Sequence, residues 1–545
     1  MPSKALTPIS LTGLGSSGLN TQAQESTLGP EWLTETDNIV FDLQGRIASR
    51  KGIQQVSKTV ANPVKSLAEY IKTDRSKEYF ASSGSAIYKI DTSTTPNTLT
   101  AQSFQSSPQT ISNSNWQWVN FNDELWGVQS GHKPINYDGT NWYDVEDLGA
   151  YAANSGVTTF NPSCALGEFG RMWYGGITES PGVLYYSDNL IGEKLNGGAS
   201  GSVDLKTVWG TDEIVALAAL MNKIIIFGKE NIVIYEGASN PASMVLDEVI
   251  KGTGLAGRNN LVYIATDIIF LSYEGLMSLG RLTATDGKAP IQDLSITIRT
   301  SIAQLLSGTD VDDIDLTYFR EAGIAVLFVP NEKLCYIFDF TIKSTMPKIT
   351  KWTFTTAPLC GLSTIDGIFY IGTSTGVSKY INYQDSVITD TTSSNGTEGA
   401  CNTAGGTWHG GACWLETKSN YSYTFSTSWL TLDNPVISKI IKSGVFTITG
   451  GRGAASTITL FKDFDTTTPY AKTFNLAAAG SVFLYGKPDA LYGSAKYGNQ
   501  SGPSDYKISL GRTGKTIKLK MVTEVNGNYS SLINTTLLTK QGKIR

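Results

Sequence analysis

A Gly-Lys-Thr triplet at residues 514–516 is the first feature that could do chemistry, because the phosphate-binding loop of many nucleotide hydrolases ends this way. The full loop needs another glycine five positions before Gly514, where this chain has Ser509. Such a loop also begins a helix, whereas residues 516–522 alternate polar and apolar side chains as a half-buried strand does. Residues 506–510 alternate likewise, so the sequence predicts a β-hairpin with its turn at residues 511–514, and no nucleotide site.

Histidine is scarce, with only His132 and His409 in the chain. Because histidine is the commonest general base and metal ligand, this argues against Ser-His-Asp and Cys-His catalysis and against His-rich metal sites. Carboxylate-only chemistry, as in glycosidases, stays open, but spacing selects no Asp/Glu pair. We therefore expect no enzymatic activity, no cofactor and no bound metal.

An acidic run, TDVDDID, occupies residues 309–315. A calcium-binding loop of the helix–loop–helix type would need a glycine at its sixth position and a glutamate at its twelfth, and neither is present. The run is predicted to be a solvated acidic loop.

The cysteines fall into two groups. Cys401 and Cys413 bracket a Gly-rich stretch, CNTAGGTWHGGAC, which could close as a local disulfide or remain unlinked and pack around Trp408. A zinc site would need four ligands, and only His409 joins the two cysteines locally. The other three lie in or beside apolar, strand-like runs and are predicted to be core thiols: Cys164, Cys335 and Cys360.

A recurring hairpin is the feature that indicates the fold. Charged residues make up only 17% of the chain and glycines number 55, which favours short strands joined by tight turns. Similar hairpins recur about 40 to 60 residues apart, enough for the four strands of one propeller blade. They begin at Tyr79, Leu125, Met172, Ile225, Ile268, Val326 and Ile368.

The predicted organisation is all-β. An N-terminal extended segment (1–59) precedes a β-propeller of about seven blades (60–387), interrupted by a helix near 293–308. A Gly/Ser/Thr-rich loop (388–416) leads to a C-terminal β-sandwich-like domain (417–545). The net charge of −5 leaves no basic footprint for nucleic acid, and the lack of an apolar run of 18 residues predicts no membrane span.

Motifs near both ends of the chain resemble one known family. Residues 18–53 combine Gly-Leu-Asn-Thr, Asn38, Asp42, Gly45-Arg46 and Arg50-Lys51-Gly52. The C-terminal half contains LYG at 484–486, YG at 497–498, LGRTGKTIKLKM and the ending LLTKQGKIR. Together they resemble the tail nozzle proteins of short-tailed bacteriophages, also named tail tubular proteins B or packaged-DNA stabilisation proteins.

The resemblance implies a structural role in the tail of a virion. Members of this family form a six-fold ring below an adaptor protein and dock tail fibre proteins. The ring retains packaged double-stranded DNA, which later passes through its lumen without sequence-specific binding. Residues 1–59 and 417–545 would then form the platform that contacts neighbouring subunits and the adaptor.

The resemblance also suggests contact residues. Arg46, Arg50 and Lys51 would contact neighbouring subunits or the adaptor, with ordinary surface charge as the competing interpretation. The loop that carries Cys401, Trp408, His409 and Cys413 would project into the channel as a gate or outward toward a fibre.

A second function stays open, that of a carbohydrate-binding or glycan-degrading propeller. Exposed aromatic side chains could stack on sugars, but the candidates recur at strand positions, which also suits the core of a blade. They are Trp116, Trp118, Trp126, Trp142 and Trp173.

Overall fold

The structure is a computed structural model that describes residues 6–105, 109–154, 156–280, 293–341, 346–432, 436–476 and 503–541. The LYG and YG motifs and the last four residues of the chain lie outside these ranges. Strands predominate, and the α-helices in the described ranges are short: α1 (Lys206–Trp209), α2 (Arg299–Gly308) and α3 (Glu398–Thr403).

The first strands of the chain are short. They are β1 (Thr7–Ser10), β2 (Gly18–Leu19), β3 (Trp32–Asp37), β4 (Ile39–Phe41), β5 (Ile47–Ser49) and β6 (Gly52–Gln55).

Seven sheets follow one another along the chain, and each forms one blade of a propeller. Blade 1 contains β7 (Val64–Ile71), β8 (Lys77–Ser83), β9 (Ala86–Asp91) and β10 (Thr98–Ala101). Blade 2 contains β11 (Gln117–Phe121), β12 (Glu124–Val128), β13 (Ile135–Tyr137) and β14 (Trp142–Asp144). Blade 3 contains β15 (Cys164–Glu168), β16 (Arg171–Gly175), β17 (Val183–Tyr186) and β18 (Gly201–Asp204). Blade 4 contains β19 (Ile214–Leu220), β20 (Lys223–Gly228), β21 (Asn231–Glu236) and β22 (Val245–Lys251).

Blade 5 has three strands in the described part of the chain: β23 (Leu261–Ile264), β24 (Asp267–Ser272) and β25 (Gly275–Ser278). A 3-10 turn (Ile296–Ile298) and α2 then lead to blade 6, with β26 (Asp315–Phe319), β27 (Ile324–Val329), β28 (Leu334–Asp339) and β29 (Lys348–Thr353). Blade 7 contains β30 (Pro358–Ser363), β31 (Phe369–Thr373) and β32 (Val377–Ile381), followed by β33 (Asp385–Asp390), β34 (Thr407–His409) and β35 (Ala412–Ser419).

The N-terminal strand β6 completes blade 7. It pairs antiparallel with β32, and β33 then adds to its other side. A sheet that borrows a strand from the other end of the chain closes the ring of blades without leaving an open edge. The propeller therefore begins before residue 60, at Gly52, which differs from the predicted boundary.

Hydrophobic clusters between neighbouring blades hold the ring together. Each of the seven contacts, including that between blades 7 and 1, has its own cluster of buried residues. Four of the five candidate tryptophans are buried there, which confirms the blade-core interpretation for them: Trp116, Trp126, Trp142 and Trp173. The three predicted core thiols are also buried.

The remaining strands form a two-sheet sandwich. They are β36 (Tyr421–Thr427), β37 (Lys439–Gly450), β38 (Ala455–Lys462), β39 (Asp465–Asn475), β40 (Ser504–Gly514), β41 (Ile517–Val525) and β42 (Ser530–Gln541). One sheet has the order β4-β5-β42-β37-β40, with β1 on β42, and the other has the order β2-β3-β36-β41-β38-β39. Residues 7–49 are therefore not a separate extended segment, because their strands supply edges to both sheets and side chains to the shared core.

The predicted hairpin at residues 511–514 is wrong. Strand β40 pairs with β37, whereas β41 pairs with β36 and β38, so the connection Gly514–Thr516 crosses from one sheet to the other. Leu510 and Leu519 meet in the same core from opposite sheets. Alternation of polar and apolar residues shows that each strand has one buried face, but not which strand lies beside it.

Candidate functional site

The first strands of the blades surround a central channel. Polar residues that precede the first strands or follow the second strands surround one end of it. Here the structure has a cavity of about 380 Å³, which we name the channel mouth. Five blades contribute to it, because the loops before β11, β15, β19, β23 and β26 meet around the axis. The polar residues that line it are Asn113, Asn115, Gln129, Ser130, Ser163, Thr178, Glu213, Lys229, Arg258, Tyr273 and Asp312.

Arg258 spans the channel mouth. From the loop before blade 5, its Nη1 donates to the carbonyl oxygen of Ser163 at 3.1 Å and its Nη2 to that of Asn115 at 2.6 Å. Among the residues that the structure describes, only two of the five N–H donors of the guanidinium have acceptors. Burial lowers the pKa of Arg258, although the nearby carboxylate of Asp312 opposes this effect. In the described part of the chain no carboxylate forms an ion pair with this cation.

Asn115 organises the same region from blade 2. Its Nδ2 donates to the carbonyl oxygen of Asp312 at 2.6 Å, and its Oδ1 accepts from Nδ2 of Asn259 at 2.9 Å. With Arg258, these bonds connect blades 2, 3, 5 and 6 across the axis. The donors and acceptors at the mouth are therefore held in place by several blades at once.

A second cation, Lys229, lies at the rim of the mouth. It pairs with Glu213 at 2.6 Å, and this hydrogen bond raises the pKa of Lys229. The ring of Tyr273 is 50% exposed, and its hydroxyl donates to the carbonyl oxygen of Ala256 at 3.4 Å. Gln129 is buried, and within the described chain its Oε1 has no hydrogen-bond partner. The mouth thus offers cations, amides, carboxylates and one aromatic face.

Deeper in the channel, a cavity of about 310 Å³ contains two perturbed carboxyl groups. Burial raises the pKa of Asp315 to about 6, although its Oδ2 accepts from Oγ1 of Thr317 at 2.7 Å and from the amide of Gly361 at 3.0 Å. Burial also raises the pKa of Glu69. The predicted solvated acidic loop needs correction here, because Asp315 begins β26 and faces this cavity.

The basic residues near the N-terminus have different surroundings. Arg50 is fully buried, so it cannot serve as a contact to another subunit or to an adaptor in this structure, and it is not surface charge. Arg46 is partly exposed and pairs with Asp42 at 2.7 Å. Lys51 is exposed.

Arg50 lies where the chain passes from the sandwich into blade 7. Its Nη1 and Nη2 each donate to a carboxylate oxygen of Asp385 at 2.9 Å, and its Nε donates to Oδ1 of Asn38 at 2.8 Å. The rings of Phe354 and Tyr421 lie 4.5 and 4.0 Å from the guanidinium carbon. Burial alone would lower the pKa of Arg50, but the Asp385 carboxylate raises it, so the group stays charged. We name these five residues the junction.

Cys401 and Cys413 form a disulfide, which excludes them as zinc ligands. Elsewhere in the described chain, no group of three or more His, Cys, Asp or Glu residues is arranged to hold a metal ion. Residues 398–419 are not a plain loop, since α3 and the hairpin of β34 and β35 extend blade 7 at its outer side. Trp408 pairs with Cys413 across this hairpin, and Nε2 of His409 lies 3.3 Å from Oγ1 of Thr98 in blade 1. The disulfide hairpin therefore does not close the channel of its own propeller.

Sequence reasoning did not select Arg258, Lys229 or Asp315. Residues from five blades build the channel mouth, and no local spacing connects positions 115, 163 and 258. The sequence does contain one indication of the channel mouth, because a polar residue stands at or just before the start of the first strand in most blades. In the described chain, no helix has the length and hydrophobicity that crossing a membrane would require.

No protein-family model and no curated protein matches this chain. Among solved structures, the extracellular domain of a one component system of B. thetaiotaomicron matches with TM-score 0.42 and 10% identity, over 87% of this chain and 62% of that chain. YCF48 from Cyanidioschyzon merolae matches with TM-score 0.36 and 11% identity, over 61% of this chain and 98% of that one. The WD40 domain of Neurospora crassa Pan2 matches with TM-score 0.37 and 9% identity, over 61% and 97%.

The chain spans 41% of the first matched structure, the extracellular domain of a hybrid two component system of B. thetaiotaomicron, and 62% of the second. These likenesses concern the fold alone. The seven sheets and the clusters between them define an all-β protein with a seven-bladed propeller and a β-sandwich.

Proposed function

We propose that this chain is a structural subunit of a short bacteriophage tail, in which it forms the distal ring around the DNA exit channel. One observation carries the proposal. Residues 18–49 and the described strands from β36 to β42, which include most of the two regions whose motifs resemble tail nozzle proteins, fold together into one sandwich. A resemblance confined to the two ends of a chain gains support when those ends form a single domain.

The junction adds a mechanical argument. A ring subunit must transmit load between its platform and its tube wall, and a buried ion pair fixes the sandwich against blades 6 and 7. The net charge of −5 is also suited to a DNA conduit, because each phosphate that a cation neutralises adds affinity that would slow passage.

Electron microscopy of the chain, alone and mixed with a candidate adaptor from the same virion, tests the proposal. The expected particle is a ring of six copies with an axial opening near the width of a DNA duplex, about 20 Å. A monomer or dimer without a lumen in the presence of the adaptor would contradict it.

Charge reversal would then locate the contact surface. We expect Lys51→Glu to weaken ring assembly, because Lys51 is exposed beside the sandwich strands. Lys251→Glu is the matched control, since Lys251 is also exposed but ends the outer strand of blade 4. Equal effects of the two substitutions would contradict a platform role for the N-terminal region.

The structure weakens the alternative function, that of a glycan-binding or glycan-degrading propeller. Four of the five tryptophans considered for sugar stacking are buried between blades. Glycan recognition by this chain would have to use Trp118, which is partly exposed and lines the deeper cavity, or residues outside this set.

A further inference from the structure

We propose that the channel mouth binds a carboxylated sugar, a hexuronic acid residue of a glycan. The site is separate from the surfaces that would build a ring, so the proposal does not depend on the tail assignment. It rests on the charges, the hydrogen-bond groups and the size of the cavity.

The carboxylate of the ligand has a defined place. Arg258 lies in the cavity lining, and within the described residues three of its N–H donors have no acceptor: the buried Nε–H and one N–H on each Nη. Its two hydrogen-bond partners are neutral carbonyl groups. A guanidinium binds carboxylates in bidentate geometry, and such charge-assisted bonds are stronger than those to neutral acceptors. Lys229 at the same cavity adds a second cation.

The rest of the lining suits the sugar ring. Asn113, Gln129 and Thr178 offer amide and hydroxyl groups, and the Oε1 of Gln129 lacks a hydrogen-bond donor within the described chain. Glu213 and Asp312 can accept from sugar hydroxyls. The half-exposed ring of Tyr273 provides an apolar face. A volume of about 380 Å³ is near the lower end for ligand sites, which fits one or two sugar rings.

The same residues disfavour other anions. Glu213 and Asp312 place two carboxylates at the cavity, and these repel a phosphate dianion more strongly than a carboxylate monoanion. Acetate carries the charge but none of the hydroxyl groups that the amides and carboxylates would bind. A neutral hexose has the hydroxyl groups but leaves Arg258 without a partner.

Titration of the full chain by isothermal calorimetry, with glucuronate, galacturonate, glucose, acetate and inorganic phosphate, tests the proposal. We expect at least one hexuronate to bind at least tenfold more tightly than glucose, acetate and phosphate. Equal binding of glucose would show that the carboxylate is not recognised, and tighter binding of phosphate would show a general anion site. Either result, or no binding of either hexuronate, would overturn the proposal.

Two lysine substitutions in blade 4 connect the binding to the site. Lys223 is the first residue of β20 and Lys229 directly follows its last residue. Each of the two lysines pairs with a carboxylate at 2.6 Å. We expect Lys229→Gln to weaken hexuronate binding about tenfold and Lys223→Gln to leave it unchanged, with both variants folded by circular dichroism. Equal affinities of the two variants would refute the site. Arg258→Gln should abolish binding, and if it fails to fold, the lysine pair still decides.

Discussion

The junction makes the sharpest prediction about stability. Arg50→Met removes the cation but keeps much of the side-chain volume between Phe354 and Tyr421. The Asp385 carboxylate then stays buried without a counter-charge. Among the described residues, the hydrogen bond that it keeps is the one from the amide of Ile53, at 2.8 Å. Breaking a buried ion pair by removing one partner costs about 3–5 kcal/mol. We expect a loss of this size in the free energy of unfolding.

The double variant tests whether the cost comes from the unpaired charge. Asp385→Asn should also destabilise alone, because it leaves the Arg50 cation unpaired. Combining it with Arg50→Met removes both charges, so the double variant should lose less than the sum of the two single losses, by about 2 kcal/mol or more. Urea unfolding followed by circular dichroism gives all the free energies.

Arg46→Met is the matched control for this experiment. Arg46 also pairs with a carboxylate, Asp42, but both side chains are partly exposed, so we expect a loss of about 1 kcal/mol or less. The reasoning would be refuted if Arg50→Met cost no more than Arg46→Met, or if the two junction substitutions were simply additive. Scanning calorimetry would show whether the sandwich and the propeller still unfold together, because a weakened junction should split their single unfolding transition into two.

Three further predictions concern single sites. Because the pKa of Asp315 is raised to about 6, its ionised carboxylate lowers the stability of the fold fully above about pH 6 and not at all below its ordinary pKa near 4. Asp315→Asn should therefore stabilise the protein at pH 8 by up to about 3 kcal/mol and not at pH 4. A pH-independent difference in urea unfolding would contradict this. The disulfide closes a loop of sequence separation 12, so replacing Cys401 and Cys413 by serine should cost about 3 kcal/mol, and a reductant should destabilise only the wild type in thermal unfolding. A Cβ at Gly52 would clash with the carbonyl oxygen of Gln384, so Gly52→Ala should lower the melting temperature, and an unchanged value would refute this close approach.

The sequence predicted the fold class well because propeller blades repeat. Hairpins at regular intervals, with apolar strands and Gly-rich turns, follow from local chemistry, and local chemistry can be read from neighbours in the chain. The sequence could not show that β6 closes blade 7, since its partner β32 lies more than three hundred residues away. It also could not show that β40 and β41 face each other across a core, because both pairings give the same alternation.

The candidate site was less predictable for a related reason. Arg50 in a basic, Gly-containing stretch has the pattern of a surface residue, and only Asp385, Asn38 and Tyr421 make its burial favourable. Arg258 becomes notable only when Ser163 and Asn115 come within hydrogen-bonding distance. Sites built from several blades depend on closure of the ring, and a linear pattern does not contain that information.

The closure of both domains by distant strands has a consequence for synthesis on the ribosome. Strands β1, β3 and β5 emerge several hundred residues before their partners, which are β36 for β3 and β42 for β1 and β5. At typical translation rates of about 5–20 residues per second, the first strands wait on the order of 25–100 s with apolar edges unpaired. The propeller can form during this interval, but the sandwich cannot. Nascent chains of this protein should therefore need a chaperone that holds the N-terminal region until release, and chains truncated before β36 should aggregate through it.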